Sequence, residues 1–576
     1  MGRMTNREVA EIFDRMANIL EFQGEMQFKV NAYRKAAQIL KDLARDISEM
    51  DEKELMSIPG IGEKLARKIH EYVTTGKIRK YEELKREVPP GVIDLMEIPG
   101  LGPKTVRILY EKAGVKDIDT LKKAIDEGRL LNLPRMGPRT IEKIKKGIQL
   151  FESMKGRTPI GEALPLAETI IESIKNGVEV SKIMYAGSLR RFKETVGDID
   201  ILAIAPDGRK VIDFFVSLPM VEDVLAHGDT KGSVILKDSK IQVDLRVVPE
   251  DSFGAALQYF TGSKQHNIHL RTIAREKGLK ISEYGIFKGG QKIGGKEERE
   301  IYEILGMQFI PPEMREDTGE IELALAGMLP AIIDIKDIRG DLHVHSKYSD
   351  GTATIQEIKE AAARMGYQYV AITDHSPSQR IAHGLDVDAL KRKKEEIEKI
   401  NRTPGPRILF GTEVDILRDG TLDYPEEVLK EFDFVVASIH SGFNDPEDVM
   451  TRRIISAIEN PYVDIIAHPT GRLIGEREPY RVDLDKVMEY ARKYDKALEI
   501  NSYYKRLDLN DLNSRKAVSY GVKISIATDA HHLDHLPYMR FGVGIARRGW
   551  VPPDLVVNSW EYDKLIDWIK SHRKGK

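Results

Sequence analysis

Two aspartates separated by one isoleucine, Asp198 and Asp200, stand inside the run Val196-Gly-Asp-Ile-Asp-Ile-Leu202. In a β-strand residues i and i+2 share a face, so the two carboxylates project side by side while Ile199 and Ile201 turn to the core. Carboxylates paired in this way suit hard divalent cations such as Mg²⁺. Upstream, a turn at Gly187-Ser188 offers backbone amides and a hydroxyl to a phosphate. A third acid, Asp244, sits mid-strand in Lys240-Ile-Gln-Val-Asp-Leu-Arg-Val-Val248, flanked by apolar residues. The chemistry expected is metal-assisted phosphoryl transfer from a nucleotide. It needs one cation to lower the pKa of an attacking 3′-hydroxyl and one to neutralise the leaving pyrophosphate.

A second concentration of ligand-type residues lies in the rear of the chain, where ten of the 14 histidines follow residue 340. They arrive with acids in six clusters: His343, His345 and Asp350; His375; Glu413; His440; His468; and Asp529 with His531. Nearly every cluster closes a short apolar run such as Val370-Ala-Ile-Thr or Ile524-Ser-Ile-Ala-Thr. Ligands leaving the C-terminal ends of successive barrel strands would converge on one mouth. His343 and His345 alternate onto one strand face. Histidine and carboxylate ligands without thiolate suit Zn²⁺ or Mn²⁺, and the residues do not choose between them. His383, His532, His535 and His572 fit no ligand position and are expected at the surface or behind the ligands.

The elements that must position these groups change character along the chain. The front reads as helical, with an internal near-repeat: Leu55-Met-Ser-Ile-Pro-Gly60-Ile-Gly62, then Leu95-Met-Glu-Ile-Pro-Gly100-Leu-Gly102. A degenerate copy at Leu131-Asn-Leu-Pro-Arg135-Met-Gly137 has an arginine where the first glycine belongs. Each copy sets a tight turn between two helices, where backbone N–H groups can approach a DNA phosphate without reading bases. Residues 1–157 carry 31 Lys+Arg against 25 Asp+Glu, whereas the whole chain has a net charge of −3, so the front is basic and the rear acidic. A basic front fits phosphodiester backbone and an acidic rear fits bound cations. With 576 residues the chain exceeds one core, and at least three domains are expected. The absence of cysteine excludes disulfides, thiolate metal sites and cysteine nucleophiles. No apolar run is long enough to cross a bilayer and the start lacks a signal-peptide core, so a cytoplasmic protein without membrane association is expected.

The Gly-Ser/Asp-x-Asp run resembles the nucleotidyltransferase signature, and the Pro-Gly-x-Gly repeats resemble helix-hairpin-helix motifs. With Asn31-Ala-Tyr-Arg-Lys-Ala-Ala37 and Tyr259-Phe-Thr-Gly-Ser263, residues 1 to about 315 are similar to X-family DNA polymerases of the polymerase beta type. That resemblance implies roles for matching positions. Asp198, Asp200 and Asp244 would hold Mg²⁺ or Mn²⁺. Gly187, Ser188 and Arg191 would hold the triphosphate. Tyr259 and Phe260 would form the sugar-side wall, Gly262 and Ser263 would also bind nucleotide, Asn267 would contact the incoming base, and Arg271 the template strand. Gly60, Gly62, Gly100 and Gly102 would meet DNA phosphates. Lys68, with Lys29, Tyr33 and Lys35 near it, matches the nucleophile of a Schiff-base lyase. Three departures stand out: Phe28 replaces a phosphate-binding histidine, Gln242 an arginine beside Asp244, and Lys264 an aspartate beside the nucleotide. Lys264 is expected to strengthen nucleotide binding before DNA arrives.

The six rear clusters resemble the polymerase and histidinol phosphatase (PHP) domain, a distorted barrel. The resemblance implies three divalent metals, Zn²⁺ or Mn²⁺, on the nine residues His343, His345, Asp350, His375, Glu413, His440, His468, Asp529 and His531. It also implies hydrolysis of a phosphodiester or phosphomonoester.

The fold class expected is multidomain: an all-α helix-hairpin-helix region, an α+β nucleotidyltransferase palm with thumb, then an α/β distorted barrel. The boundaries expected are 1–85 (lyase-like helical domain), 86–158 (fingers-type subdomain), 159–250 (palm), 251–315 (thumb), 316–337 (linker) and 338–576 (PHP domain). The function expected is gap-filling DNA synthesis in base excision repair, with 3′-5′ exonuclease or other phosphoesterase action and abasic-site processing. Its partners would be gapped or primer-template DNA and dNTPs, bound by a monomer. The rival reading is a small-molecule phosphatase whose front half binds nucleotide or DNA.

Overall fold

The computed structural model describes residues 2–573 other than Ala44 and Arg135. The arginine expected to disturb the third hairpin, Arg135, thus lies outside the described residues. The chain divides into two compact units, one of residues 1–155 with 475–477 and the other of the remainder.

The first unit is helical. Val9, Phe13, Met16 and Leu20 recur at helical spacing on Gly2–Gln23 and are buried, as are Val30, Tyr33, Ala37 and Leu40 of the next helix, Gln27–Asp42. Phe13 meets Tyr33 edge-on at 5.5 Å. The two Pro-Gly turns lead into helices Glu63–Thr75 and Pro103–Ala113, and Gly137 precedes helix Pro138–Met154; Gly62, Gly102 and Gly137 stand at the N-caps without a side-chain cap. Gly60 and Gly100 have φ of 98° and 88°, backbone that L side chains avoid. A side chain added at Gly62, Gly100 or Gly102 would meet no atom within 4 Å, so the backbone there is bare.

In the second unit, strands Lys182–Tyr185 (β1), Asp198–Ile204 (β2), Val221–His227 (β3), Lys231–Leu236 (β4) and Gln242–Val247 (β5) form one sheet, ordered β1-β2-β5-β4-β3. Central β2 and β5 run parallel in a register that sets Asp198 opposite Gln242 and Asp200 opposite Asp244. Ile199, Ile201, Val243 and Leu245 alternate with these polar residues and are buried, with Val211 and Phe215 of helix Gly208–Val216 in the same core. Leu202 packs instead with Phe253, Ala256 and Leu257 of helix Phe253–Thr261. A three-stranded antiparallel sheet follows, Leu279–Ser282 (β6), Gly285–Lys288 (β7) and Gln291–Gly294 (β8). Its small core takes in Ile321 and Ala324, which belong to a helix, Glu320–Leu325, inside the segment expected as a linker.

Seven parallel strands complete the unit: Gly340–Val344 (β9), Tyr369–Ile372 (β10), Arg407–Asp415 (β11), Phe434–Ser438 (β12), Ile465–Ile466 (β13), Ala497–Asn501 (β14) and Lys523–Ala527 (β15). They are hydrogen-bonded in sequence order. The first and last strands approach each other, with His345 N–H donating to Ala530 C=O at 2.9 Å, so the sheet is a nearly closed barrel. The five-stranded sheet and the barrel share one continuous core, from Ile160 to Val556. At their junction Gly544 is obligatory: a Cβ there would fall 1.9 Å from the Phe192 ring.

Candidate metal centres and nucleotide site

The aspartate site is built on the β2–β5 register. Asp198 is exposed, while Asp200 and Asp244 are half-buried. Burial first, then Asp198 and Asp244, push the Asp200 carboxyl up to about 7. Burial and Asp244 likewise raise Asp198. Three neighbouring carboxylates, two of them half-buried, whose repulsion raises Asp198 and Asp200 form a site a divalent cation would stabilise. Gln242 bears directly on this cluster: its amide donates to Asp244 Oδ1 at 3.2 Å, and the Ser233 hydroxyl donates to the same oxygen.

Gly187 closes one side. Its φ is 62°, and a Cβ would lie 2.5 Å from Asp200 Oδ2, so both the turn and the close approach demand glycine. The short helix Gly187–Arg190 carries Ser188 beside the acids and ends at Arg191, the two residues expected to hold the triphosphate. Arg191 Nη1 donates to Thr261 C=O at 2.5 Å and its Nε to Glu316 at 3.1 Å. Its neighbour Arg190, which the sequence did not single out, makes a fork onto both oxygens of Glu298 at 2.7 Å and also donates to Thr261 Oγ1. Arg315, fully buried, shares Glu298 at 2.6 Å. Arg190 thereby fixes the turn to the segment carrying Tyr259, Phe260, Gly262 and Ser263.

Tyr259 and Phe260 meet edge-on at 5.2 Å, and the Arg246 guanidinium lies 4.7 Å over the Phe260 ring. Asn267 is engaged at both ends of its amide, donating to Tyr259 C=O and accepting from Gln258, each at 2.7 Å. Lys264 and Arg271 are exposed.

At the barrel mouth all nine expected ligands come together. Three groups of ligand atoms lie within 4.8 Å of one another: His345, Asp350, His375 and His531; His343, His345 and Asp529; and His375, Glu413 and His440. His468 joins through Glu413 at 3.2 Å. Among the described residues, His343 Nε2, both ring nitrogens of His345 and His468 Nδ1 are buried without a hydrogen-bond partner, and His375 Nδ1 and Glu413 Oε2 have only each other, 2.8 Å apart. Orphaned buried nitrogens facing carboxylates are what a divalent metal cluster would satisfy, so the residues fit the expected metals. His468 and Asp529 also hold φ of 30° and 54°, strained backbone concentrated at the site. The cluster lines a cavity of about 360 Å³ whose wall includes Arg506, its Nε 3.6 Å from Asp529.

Behind the ligands stand residues that sequence reasoning passed over. His343 Nδ1 donates to Glu499 at 2.7 Å, and His440 Nδ1 to Asp415 at 2.6 Å. His531 Nδ1 donates to the Asp529 carbonyl at 2.8 Å. Each bond turns the opposite ring nitrogen toward the cavity. Asn501 donates to both Glu499 and Asp529. A signal existed: Glu499 and Asn501 alternate inside the apolar strand Ala497–Asn501. Burial would lower His375, but Glu413 and Asp350 raise it to about 10. Burial together with His531 and His375 lowers His345 to about 4.

Among the four histidines outside the ligand set, His383 is exposed, and His532 and His535 are half-buried. His572 corrects the expectation of a surface or supporting role: its side chain is 2% exposed, bonded to Asp464 at 2.8 Å and packed on Trp568. Asp464 precedes β13, at the strand end away from the ligands, so this pair is structural.

In the first unit Lys68 is half-buried on helix Glu63–Thr75, its amine donating to Lys64 C=O at 3.0 Å. Burial, with Lys64, Lys80 and Lys29 nearby, lowers its pKa. Phe28 is 85% exposed.

Four family models match the chain: a helix-hairpin-helix domain over residues 4–78, a SAM-like helix-hairpin-helix tandem over 92–149, the DNA polymerase beta thumb over 256–316 and the PHP domain over 341–510. The DNA polymerase/3'-5' exonuclease PolX of Bacillus subtilis (strain 168) is 43% identical over 571 residues, covering 98% of this chain and 100% of that protein. A probable phosphatase of Thermoanaerobacter sp. (strain X514) is 34% identical over 247 residues, 41% of this chain and 95% of that protein. DNA polymerase lambda of Rattus norvegicus is 25% identical over 342 residues, 54% of this chain and 56% of that protein.

The raised Asp200 carboxyl predicts a pH dependence. In the metal-free protein it retains its proton to about pH 7, so a cation must displace that proton at lower pH. Apparent Mn²⁺ affinity at the aspartates, read by electron paramagnetic resonance in a His343→Ala background, should rise between pH 6 and 8. An affinity flat across that range would contradict the assignment.

Proposed function

Because the chain belongs to the PolX family, X-family DNA polymerases with a C-terminal PHP domain, we propose that it fills short gaps in DNA during repair and trims 3′ ends from a second metal site. The observation that carries the first half is the β2–β5 register, which brings Asp198, Asp200 and Asp244 together beside Gly187 and Ser188. The divalent cations supply charge for the transferring phosphoryl group, and we assign Mg²⁺ or Mn²⁺ to this site. Ser188 and Arg191 would hold the triphosphate, with Arg191 giving up its bond to Glu316. Tyr259 and Phe260, fixed against each other, would wall the sugar, with Gly262 and Ser263 beside them. Asn267 would reach the incoming base by exchanging the Tyr259 carbonyl, and Arg271 the template strand. Exposed Lys264 is free of protein bonds at its amine among those described, which supports a contact to nucleotide. The turns at Gly60, Gly62, Gly100 and Gly102, bare at the last three, would meet the backbone of gapped or primer-template DNA.

The barrel reading rests on the orphaned imidazoles and carboxylates of the nine-residue cluster, which we assign to three Zn²⁺ or Mn²⁺ ions. When bound, these activate water toward a phosphoester. Glu499 and Asp415 orient His343 and His440 for that task. The phosphatase rival accounts for too little: the probable phosphatase covers 41% of the chain, whereas the PolX relative covers 98%. No helix among the described residues is long and apolar enough to cross a membrane.

A lyase step is a second reading, favoured by the lowered pKa of Lys68, since only a neutral amine attacks a sugar aldehyde. Borohydride in the presence of 5′-deoxyribose phosphate DNA should trap a covalent adduct with wild type and not with Lys68→Ala; equal trapping would remove Lys68 from that role. For the main reading, Asp198→Ala or Asp200→Ala should reduce primer extension at least about a thousandfold, as loss of a metal-bridging acid does. Digestion of a single strand should persist in these variants, and His343→Ala should do the reverse. If either change removed both activities, the two-site account would fail.

A further inference from the structure

The turn that carries Ser188 and Arg191 rests on a helix of the barrel, Met539–Arg548. Phe192, at φ 57°, lays its ring against Gly544. The next acid along, Glu194, pairs with Arg472 of the barrel, and Glu168 pairs with Arg540. At the centre of this contact stands Arg548, its side chain 3% exposed. Its Nη1 donates to the Arg191 carbonyl at 2.7 Å and to Glu316 Oε1 at 3.0 Å, while its Nε and Nη2 clasp Asp511 at 2.9 and 2.7 Å. The same Glu316 oxygen receives Arg191 Nε at 3.1 Å and has Lys193 at 3.4 Å.

We propose that Arg548 of the PHP domain is a positioning residue for DNA synthesis: by sharing Glu316 with Arg191 and bonding the Arg191 carbonyl, it aims Arg191 at the incoming nucleoside triphosphate. This rests on the reading that Arg191 contacts the triphosphate. The physical argument is one of shared charge. Glu316 is a partly buried carboxylate divided among three cations. A triphosphate can therefore draw the Arg191 guanidinium away without leaving Glu316 uncompensated. Without Arg548 the buried charge of Glu316 would fall on Arg191 and Lys193, and Arg191 would be held more firmly by that carboxylate. The turn would also lose the donor that pins the Arg191 carbonyl. Among the described contacts Arg548 meets neither Asp198, Asp200 or Asp244 nor any of the nine barrel residues, so its route to synthesis runs through Arg191 and the turn that carries it.

The test is steady-state insertion of one dNTP into a single-nucleotide gap by the full chain, with KM and kcat measured separately. Arg191→Ala should raise the dNTP KM, which checks the underlying reading. Arg548→Met should raise KM about tenfold, equivalent to about 1.4 kcal/mol, with kcat within about twofold. Glu316→Gln combined with Arg548→Met should recover most of the loss, because no carboxylate remains to hold Arg191. A merely structural Arg548 would lower the melting temperature and kcat together, whereas loss of its hold on Arg191 raises KM with both little changed. Thermal melting follows the fold of each variant. If Arg548→Met does not fold, Glu316→Gln alone decides, and its dNTP KM should be no higher than that of wild type. An unchanged KM in Arg548→Met alongside a raised KM in Arg191→Ala would overturn the proposal and leave the reading standing. An unchanged KM in Arg191→Ala would overturn both. A raised KM in Glu316→Gln, or a double variant no better than Arg548→Met, would also overturn it.

Discussion

Crowded carboxylates that only a cation can reconcile are the constraint on which this molecule turns. At the β2–β5 pair three aspartates meet with no lysine or arginine paired to them among the described contacts, and burial lifts Asp200 to about 7. At the barrel mouth Asp350, Glu413 and Asp529 face six histidines, several with orphaned nitrogens. At the aspartates the mutual repulsion costs stability that a divalent ion would return, whereas in the barrel the histidines already offset part of the acids' charge. The sign follows from the shift. A carboxyl raised from 3.8 to about 7 favours the folded state at low pH and loses that contribution as pH climbs through 7, unless metal takes the place of the proton.

Much of the surrounding architecture serves to hold those charges. Parallel pairing of β2 with β5 sets the register, Gly187 admits the Gly187-Ser188 turn to within touching distance of Asp200, and Arg190 with Glu298 and Arg315 locks that turn to the segment of Tyr259 and Phe260. In the barrel, parallel strands deliver ligands from their C-terminal ends, and Glu499 and Asp415 fix the rings. The two sites share a hydrophobic core within one unit, so they are chemically separate while mechanically joined.

How far this was legible in the sequence depends on the range of each interaction. Asp198 and Asp200 are readable because period-two spacing fixes their face locally. The nine barrel residues expected as ligands are readable because nearly every one of their six clusters closes a short apolar run. Glu499 was within reach as a charged residue in an apolar strand, but the histidine it orients lies 156 residues away, and spacing alone names no partner. Arg548 and Glu316 were not legible. Both look like ordinary charges near helix ends, and their meaning comes only from a contact across 232 residues. His572 misled for the opposite reason: a histidine near the end of a polar helix suggests solvent, yet packing on Trp568 buries it. Asn267 was placed by resemblance, and the structure adds that its amide is already spent on Tyr259 and Gln258.

The central claim is that one chain carries a site that lengthens a 3′ end and another that shortens it. The most direct measurement follows a 5′-labelled primer in a gapped duplex with the full chain and Mn²⁺, with and without dNTPs. The account predicts longer products when dNTPs are present and products shortened from the 3′ end when they are absent. A primer unchanged in length under both conditions, or extended with dNTPs but never shortened without them at any metal tested, would contradict it.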